Sequence, residues 1–235
     1  MSLTRIHNMS ISLDGFATGE PQSADAPFGH AGERLHEWMF GTRFWDADGT
    51  TGVDDAFAER HSHGIGAEIM GANKFGPPGW DSDPDWKGWW GPNPPFHTPT
   101  FVLTHHPRAS MEMEGGTTFH FLDAEPAEAL VTARAAADGQ DVRIGGGPTV
   151  VRSFLAAGLV DHMHLVQVPI LLGHLMDEAL NGLDHDAPLR ESCDGADRIQ
   201  SRLHLDRHTQ AQLRIVLDLF SLAGPGRRTA RAATM

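Results

Sequence analysis

The sequence predicts an α/β protein, a mixed sheet flanked by helices and closed by an antiparallel C-terminal hairpin. Two observations predict it. Strand-length apolar runs alternate with helical periodicity early in the chain and give way to strands alone late. The stretch DVRIGGGPTVVRSFLAAGLVDHMHLVQVPILLG, residues 141–173, reads in one sweep as strand, glycine turn, helix and strand. No internal repeat is evident, and 235 residues with 40% hydrophobic content suit one core. We therefore expect a single domain over residues 1–222 and a frayed, flexible tail over 223–235.

The elements follow in order. Ile6 to Leu13 alternates loosely as a first strand, and Asp14-Gly15 with Gly19 opens the loop after it. Leu35, Trp38 and Met39 mark one face of a short helix from Gly32 to Phe40. A second helix is expected from Val53 to His61; Asp54 and Asp55 stand in its first turn, where carboxylates complement the helix dipole. Glu68 to Gly71 reads as a short strand. Residues 76–99 hold Trp80, Trp86, Trp89 and Trp90 among prolines and glycines that no regular helix or central strand accommodates. Two readings compete there. The aromatics form a cluster that pins the loop to the body, or Trp89, Trp90 and Phe96, with Asp54, wall a pocket for a flat substrate.

Thr100 to Thr104 is a strand, and His105-His106-Pro107-Arg108 the turn after it. Thr117 to Leu122 is another strand, and Pro126 suits the first turn of an alanine-rich helix ending near Gly139. Val142 and Ile144 then suit a buried strand, and Gly145, Gly146 and Gly147 let the backbone turn sharply and approach a ligand closely. Pro148 has the fixed φ wanted at a first helical position, and Val150, Val151, Phe154 and Leu155 recur on one face up to Gly158. The N–H groups at this helix start, around Thr149, form a partial positive site whose natural occupant is a phosphate or pyrophosphate; tight packing alone is the competing reading. A strand follows over 161–172. Residues 177–197 read as an acidic surface connection, and 196–206 with 212–220 as the closing antiparallel pair.

With 18 basic and 31 acidic residues the net charge is −13, which excludes nucleic acid and an anionic membrane surface as expected partners. The single cysteine, Cys193, leaves no internal disulfide and no cysteine-based zinc site, and Met1 to Gly15 does not read as a secretory leader. No run approaches the roughly 18 apolar residues of a membrane span, so a cytoplasmic protein is expected. Fifteen histidines invite a metal reading. His61 with His63 and His162 with His164 have strand spacing, but neither pair has a carboxylate or thiolate partner at a recognised spacing, so no dedicated metal site is expected.

The run from Gly145 to Gly173 resembles the late strand–helix–strand segment of the dihydrofolate reductase superfamily. The match lies in the branch named for the reductase domain of bacterial riboflavin-biosynthesis deaminase-reductases. Further matches stand at MSISLDGFATG (9–19), EIMGANKFGP (68–77), FVLTHHPR (101–108) and GGTTFHF (115–121), in the family's order. The resemblance implies a mostly parallel sheet and a homodimer. It implies too that the loop from Asp14 to Thr18 closes over a nicotinamide and that Gly145 to Thr149 hold the pyrophosphate. Gly71, Asn73, Thr104, His105 and Arg108 would take the adenosine half, and the helix at 53–61 would wall the substrate. Asp14 is the acid candidate from the resemblance; the alternative is an aspartate capping its own turn. Ala72 stands where the family commonly has an arginine for the adenosine phosphate, so Arg108 or Lys74 is expected to substitute. NADPH would then be preferred only modestly, and NADH is possible. The zinc deaminase that family members carry needs a Pro-Cys-x-x-Cys, which one cysteine cannot supply.

The resulting expectation is a standalone reductase that transfers a hydride from NADPH to a small planar, heterocyclic C=N or C=O substrate. It is of the kind performed by 5-amino-6-(5-phosphoribosylamino)uracil reductase or dihydrofolate reductase. The rival from another class is a binding or sequestration protein on the same fold, which Ala72 favours.

Overall fold

The computed structural model describes residues 2–172. The expected surface connection, the hairpin over 196–220 and the tail lie outside the described residues. Seven strands form one sheet: β1 (Thr4–Ile11), β2 (Ile65–Gly71), β3 (Pro99–Leu103), β4 (Met111–Glu112), β5 (Thr118–Leu122), β6 (Asp141–Ile144) and β7 (His162–Gln167). Their order is β4-β5-β3-β2-β6-β1-β7, and every neighbouring pair is parallel except β4 with β5. The helices are α1 (Glu37–Phe40), α2 (Val53–Glu59), α3 (Ala72–Phe75), α4 (Pro126–Ala136) and α5 (Pro148–Ala156). This is the mixed, mostly parallel α/β architecture of the dihydrofolate reductase type.

A parallel sheet is apolar on both faces because crossovers cover both. On one face Ile6, Ala67, Ile69, Val142 and Ile144 pack against Ala129, Leu130 and Ala133 of α4 and Val151 and Phe154 of α5. On the other, Met70, Val102, Phe119 and Phe121 meet Phe75, Trp80 and Phe96, supplied by the segment between β2 and β3. The central strand β2 is buried over its whole length.

Several boundaries move. β2 begins at Ile65, three residues before Glu68, and its Gly66 lies against α4's end, where a Cβ would stand 2.1 Å from the Ala137 carbonyl oxygen. The helix expected over 32–40 is a 3₁₀ turn, Gly32–Leu35, followed by α1. α2 stops at Glu59, short of His61. β1 runs from Thr4 to Ile11 and carries a bulge, with Asn8 at φ +57 between the register positions of Ile6 and Met9. The two-residue β4 was not legible in the sequence, being too short to show a period. Among the described residues no helix is long and apolar enough to cross a membrane.

Candidate cofactor site at the carboxyl ends of the strands

β2 and β6 lie side by side, and their ends bring two glycine turns together. The Gly71 N–H donates to the Gly146 carbonyl at 2.9 Å, and the Gly145 N–H to the Ile69 carbonyl at 2.8 Å. Gly71 admits no side chain, since a Cβ would lie 2.9 Å from Val150 Cγ2. Gly146 sits at φ +104, in the region that favours glycine. Gly147 differs from its neighbours: a Cβ built there meets nothing within 4 Å. It faces open space at the start of α5, where Pro148 occupies the first turn and no acidic side chain stands in that turn. The first-turn N–H groups of a helix lack intrahelical partners, so those of Thr149 and Val150 present partial positive charge to that space.

A buried ion network lies directly beneath the turn. Glu68, fully buried on β2, pairs with Arg143 of β6 and with Lys74 Nζ at 3.0 Å. Lys74 Nζ also donates to the Gly145 carbonyl at 2.7 Å, and Arg143 to the His61 carbonyl at 2.9 Å. Burial would push the Glu68 carboxyl up, but the charges of Arg143 and Lys74 outweigh it and hold the group below its ordinary range. Burial also brings the Lys74 ammonium below its ordinary value, against the opposing pull of Glu68. Sequence reading missed Glu68 and Arg143. The available signal was a charge inside an apolar strand, as in Ala67-Glu68-Ile69 and Val142-Arg143-Ile144, where burial demands a partner.

The other expected residues are placed as follows. Asp14 follows β1; its carboxylate accepts from the Ser12 hydroxyl and, at 3.2 Å, from the Leu172 N–H, which ties the loop to the chain after β7. Thr18 donates to the Phe28 carbonyl within its own loop, at 2.9 Å. Asn73 is exposed on α3. Thr104 accepts from the His106 N–H at 3.1 Å, and His105 Nδ1 lies 2.9 Å from Asp123 Oδ1.

Two cations are committed elsewhere than the adenosine end where they were expected. Lys74 belongs to the network under the turn. The Arg108 guanidinium donates to the carbonyls of Asp83 and Trp86 and lies 4.8 to 5.6 Å from the ring centres of Phe121, Trp80 and Phe75. It fastens the tryptophan loop to the body.

That loop is largely packing. Phe96 is 8% exposed, and Trp90 packs edge-on against it at 4.7 Å and stacks on Phe119 at 6.0 Å. The Phe96 ring lies in the second core. Trp89 meets Trp86 edge-on at 4.9 Å. Asp54 instead lines a cavity of about 210 Å³ with Trp38, Phe57, His164 and Val166, between α2 and β7. His164 is stacked on Phe57 at 4.2 Å and meets Asn8 Oδ1 at 2.8 Å through Nδ1, so the bulge of β1 fixes its ring.

Residues 4–205 match the family of the RibD C-terminal domain. The chain belongs to that family. A RibD C-terminal domain is typically a reductase domain, which implies a nicotinamide cofactor. A solved structure of a protein named for riboflavin biosynthesis, from Shewanella sp. PV-4, is similar at 20% identity with a TM-score of 0.42; the match covers 74% of this chain and 80% of that one. No curated protein sequence matches this chain. Tested against the family's cofactor, the turn fits: open space stands at Gly147 beside the bare start of α5, whose first-turn N–H groups lack intrahelical partners.

Proposed function

We propose that the chain is an NAD(P)H-dependent reductase that passes a hydride to a small planar, heterocyclic C=N or C=O substrate. The observation that carries this reading is the open position at Gly147, set at a helix start and supported from below by the Glu68–Lys74–Arg143 network. A bound nicotinamide dinucleotide would supply the hydride. The turn from Gly145 to Thr149 would hold its pyrophosphate through the N–H groups of Gly146, Gly147 and Thr149, the Gly145 N–H being given to Ile69 and Pro148 having none, and Gly71, Asn73, Thr104 and His105 would take the adenosine half. The loop from Asp14 to Thr18 would cover the nicotinamide and exclude water, with Asp14 as the acid nearest the β1 end. The cavity between α2 and β7, with Asp54 at its rim, would receive the substrate ring against Trp38 and Phe57.

Because Ala72 donates nothing and Lys74 and Arg108 are committed, discrimination between NADPH and NADH should be small. That same feature favours a second reading, a binding protein on this fold that holds a nucleotide or small molecule without hydride transfer. Calorimetric titration with both nucleotides tests the site. Gly147→Val should weaken binding about tenfold or more while the protein stays folded. Unchanged affinity in the folded variant would remove the assignment, and binding with no oxidation of NADPH by any heterocyclic acceptor would favour the second reading.

A further inference from the structure

A second cavity, of about 500 Å³, lies at the opposite end of the strands from the glycine turn. Its wall carries Arg5 and His7 of β1, Arg60 after α2, His63 before β2 and His162 at the start of β7, and no carboxylate is among its lining residues. In a chain of net charge −13 this is a local reversal of sign. The neighbouring carboxylate, Asp141, is occupied: it pairs with Arg5 Nε at 3.1 Å and accepts from the Leu3 N–H at 2.7 Å. Arg5 Nη2 also donates to the His63 carbonyl, which holds the guanidinium at the wall. His7 packs against His162 and His164, with ring centres 6.1 and 5.1 Å away. Both of its ring nitrogens are buried with no hydrogen-bond partner among the described residues. Buried polar atoms in native proteins are ordinarily partnered, so the His7 ring stands behind the cavity wall with its hydrogen-bonding capacity unmet.

We propose that this cavity binds the phosphate group of a small molecule, held between the guanidinium groups of Arg5 and Arg60 and the histidine N–H donors. Guanidinium forks match phosphate oxygens in pairs, and an oxyanion accepts from several directions at once. The volume exceeds what a bare ion needs and lies in the range of small-molecule sites, so the phosphate is carried on an organic body. Burial, with the neighbouring His164, His162, Arg5 and His61, holds His7 down at about 4. An anion set against the ring would relieve that repulsion and raise the value. None of this depends on the cofactor reading, since the two sites lie at opposite ends of the sheet.

Histidine ring ¹⁵N–¹H spectra of the full chain, titrated with inorganic phosphate and phenyl phosphate at matched chloride, test it. Saturable shifts at His7 and His162 are expected, with phenyl phosphate tighter than inorganic phosphate and acetate without effect. Arg60→Ala, an exposed position, should weaken binding about tenfold, as loss of one charge-assisted contact does. His162→Gln should weaken it too, and Gly147→Val should leave it unchanged. Shifts no larger than those from chloride or acetate overturn the proposal. So does phosphate binding that survives Arg60→Ala but is lost in Gly147→Val, because the ion would then sit on the glycine turn.

Discussion

Glu68 is the residue on which the site rests. Its carboxylate neutralises Arg143 inside the sheet and the partly exposed Lys74 of α3, and through Lys74 it fixes the Gly145 carbonyl from below. Glu68→Gln keeps the shape and removes the charge, leaving Arg143 and Lys74 facing each other without a counter-ion. Breaking a buried pair in this way costs about 3–5 kcal/mol, which urea denaturation would read as a large drop in midpoint. A midpoint within error of wild type would mean that the network is solvated rather than buried. Gly145 shows the same tightness, since an added Cβ would lie 2.0 Å from Glu68 Oε1. Its neighbour Gly147 opens outward, which is why Gly147→Val and not Gly145→Val is the clean probe of ligand binding.

The tryptophan loop acts as an element without regular secondary structure. Trp80 and Phe96 enter the second core from it beside Phe75 of α3, and Arg108, arriving from beyond β3, is laid over the Phe75 and Trp80 rings while it donates to the loop's carbonyls. Arg108→Ala should therefore act on the loop before it acts on cofactor choice. We expect a loss of about 1–2 kcal/mol from the missing cation–π and hydrogen bonds, with a red-shifted tryptophan emission. If stability and emission are unchanged while NADPH binding falls, Arg108 is a phosphate ligand after all. Composition alone showed that this loop has structure to make, because four tryptophans do not stay solvated. Which of them pack could not be read, since the partners Phe119 and Phe121 lie on a strand far along the chain.

Across the whole molecule, His7, His36 and His61 are each lowered from 6.5 to about 4, by burial first and then by nearby positive charge. As pH falls below the ordinary histidine value, the unfolded chain takes up these protons and the folded chain does not. Their contribution to stability is thus present above about 6.5 and is lost as pH falls toward 4. The depressed Glu68 acts in the same direction at lower pH. The urea midpoint at pH 5 should lie below that at pH 7; equal midpoints would show that the three rings are not buried in solution. We further propose a homodimer, as the resemblance implies, and light scattering should give twice the 25.6 kDa chain mass at micromolar concentration. A single-chain mass would refute pairing.

Local pattern carried the fold class, the strand–glycine turn–helix over 141–158 and most element positions, because apolar periodicity, proline at a helix start and glycine at a turn act over a few residues. Resemblance carried the family, because its motifs stand in order along the chain. Tertiary structure alone decided the partners. The parallel sheet sets Glu68 beside Arg143, 75 positions further along the chain, and brings Lys74 under the glycine turn. It draws Arg108 into the aromatic cluster, and gathers Arg5, His7, Arg60, His63 and His162 from three separate stretches around one cavity. Charge neutralisation in a buried site depends on distance through space, and no local pattern encodes which distant strand will lie alongside.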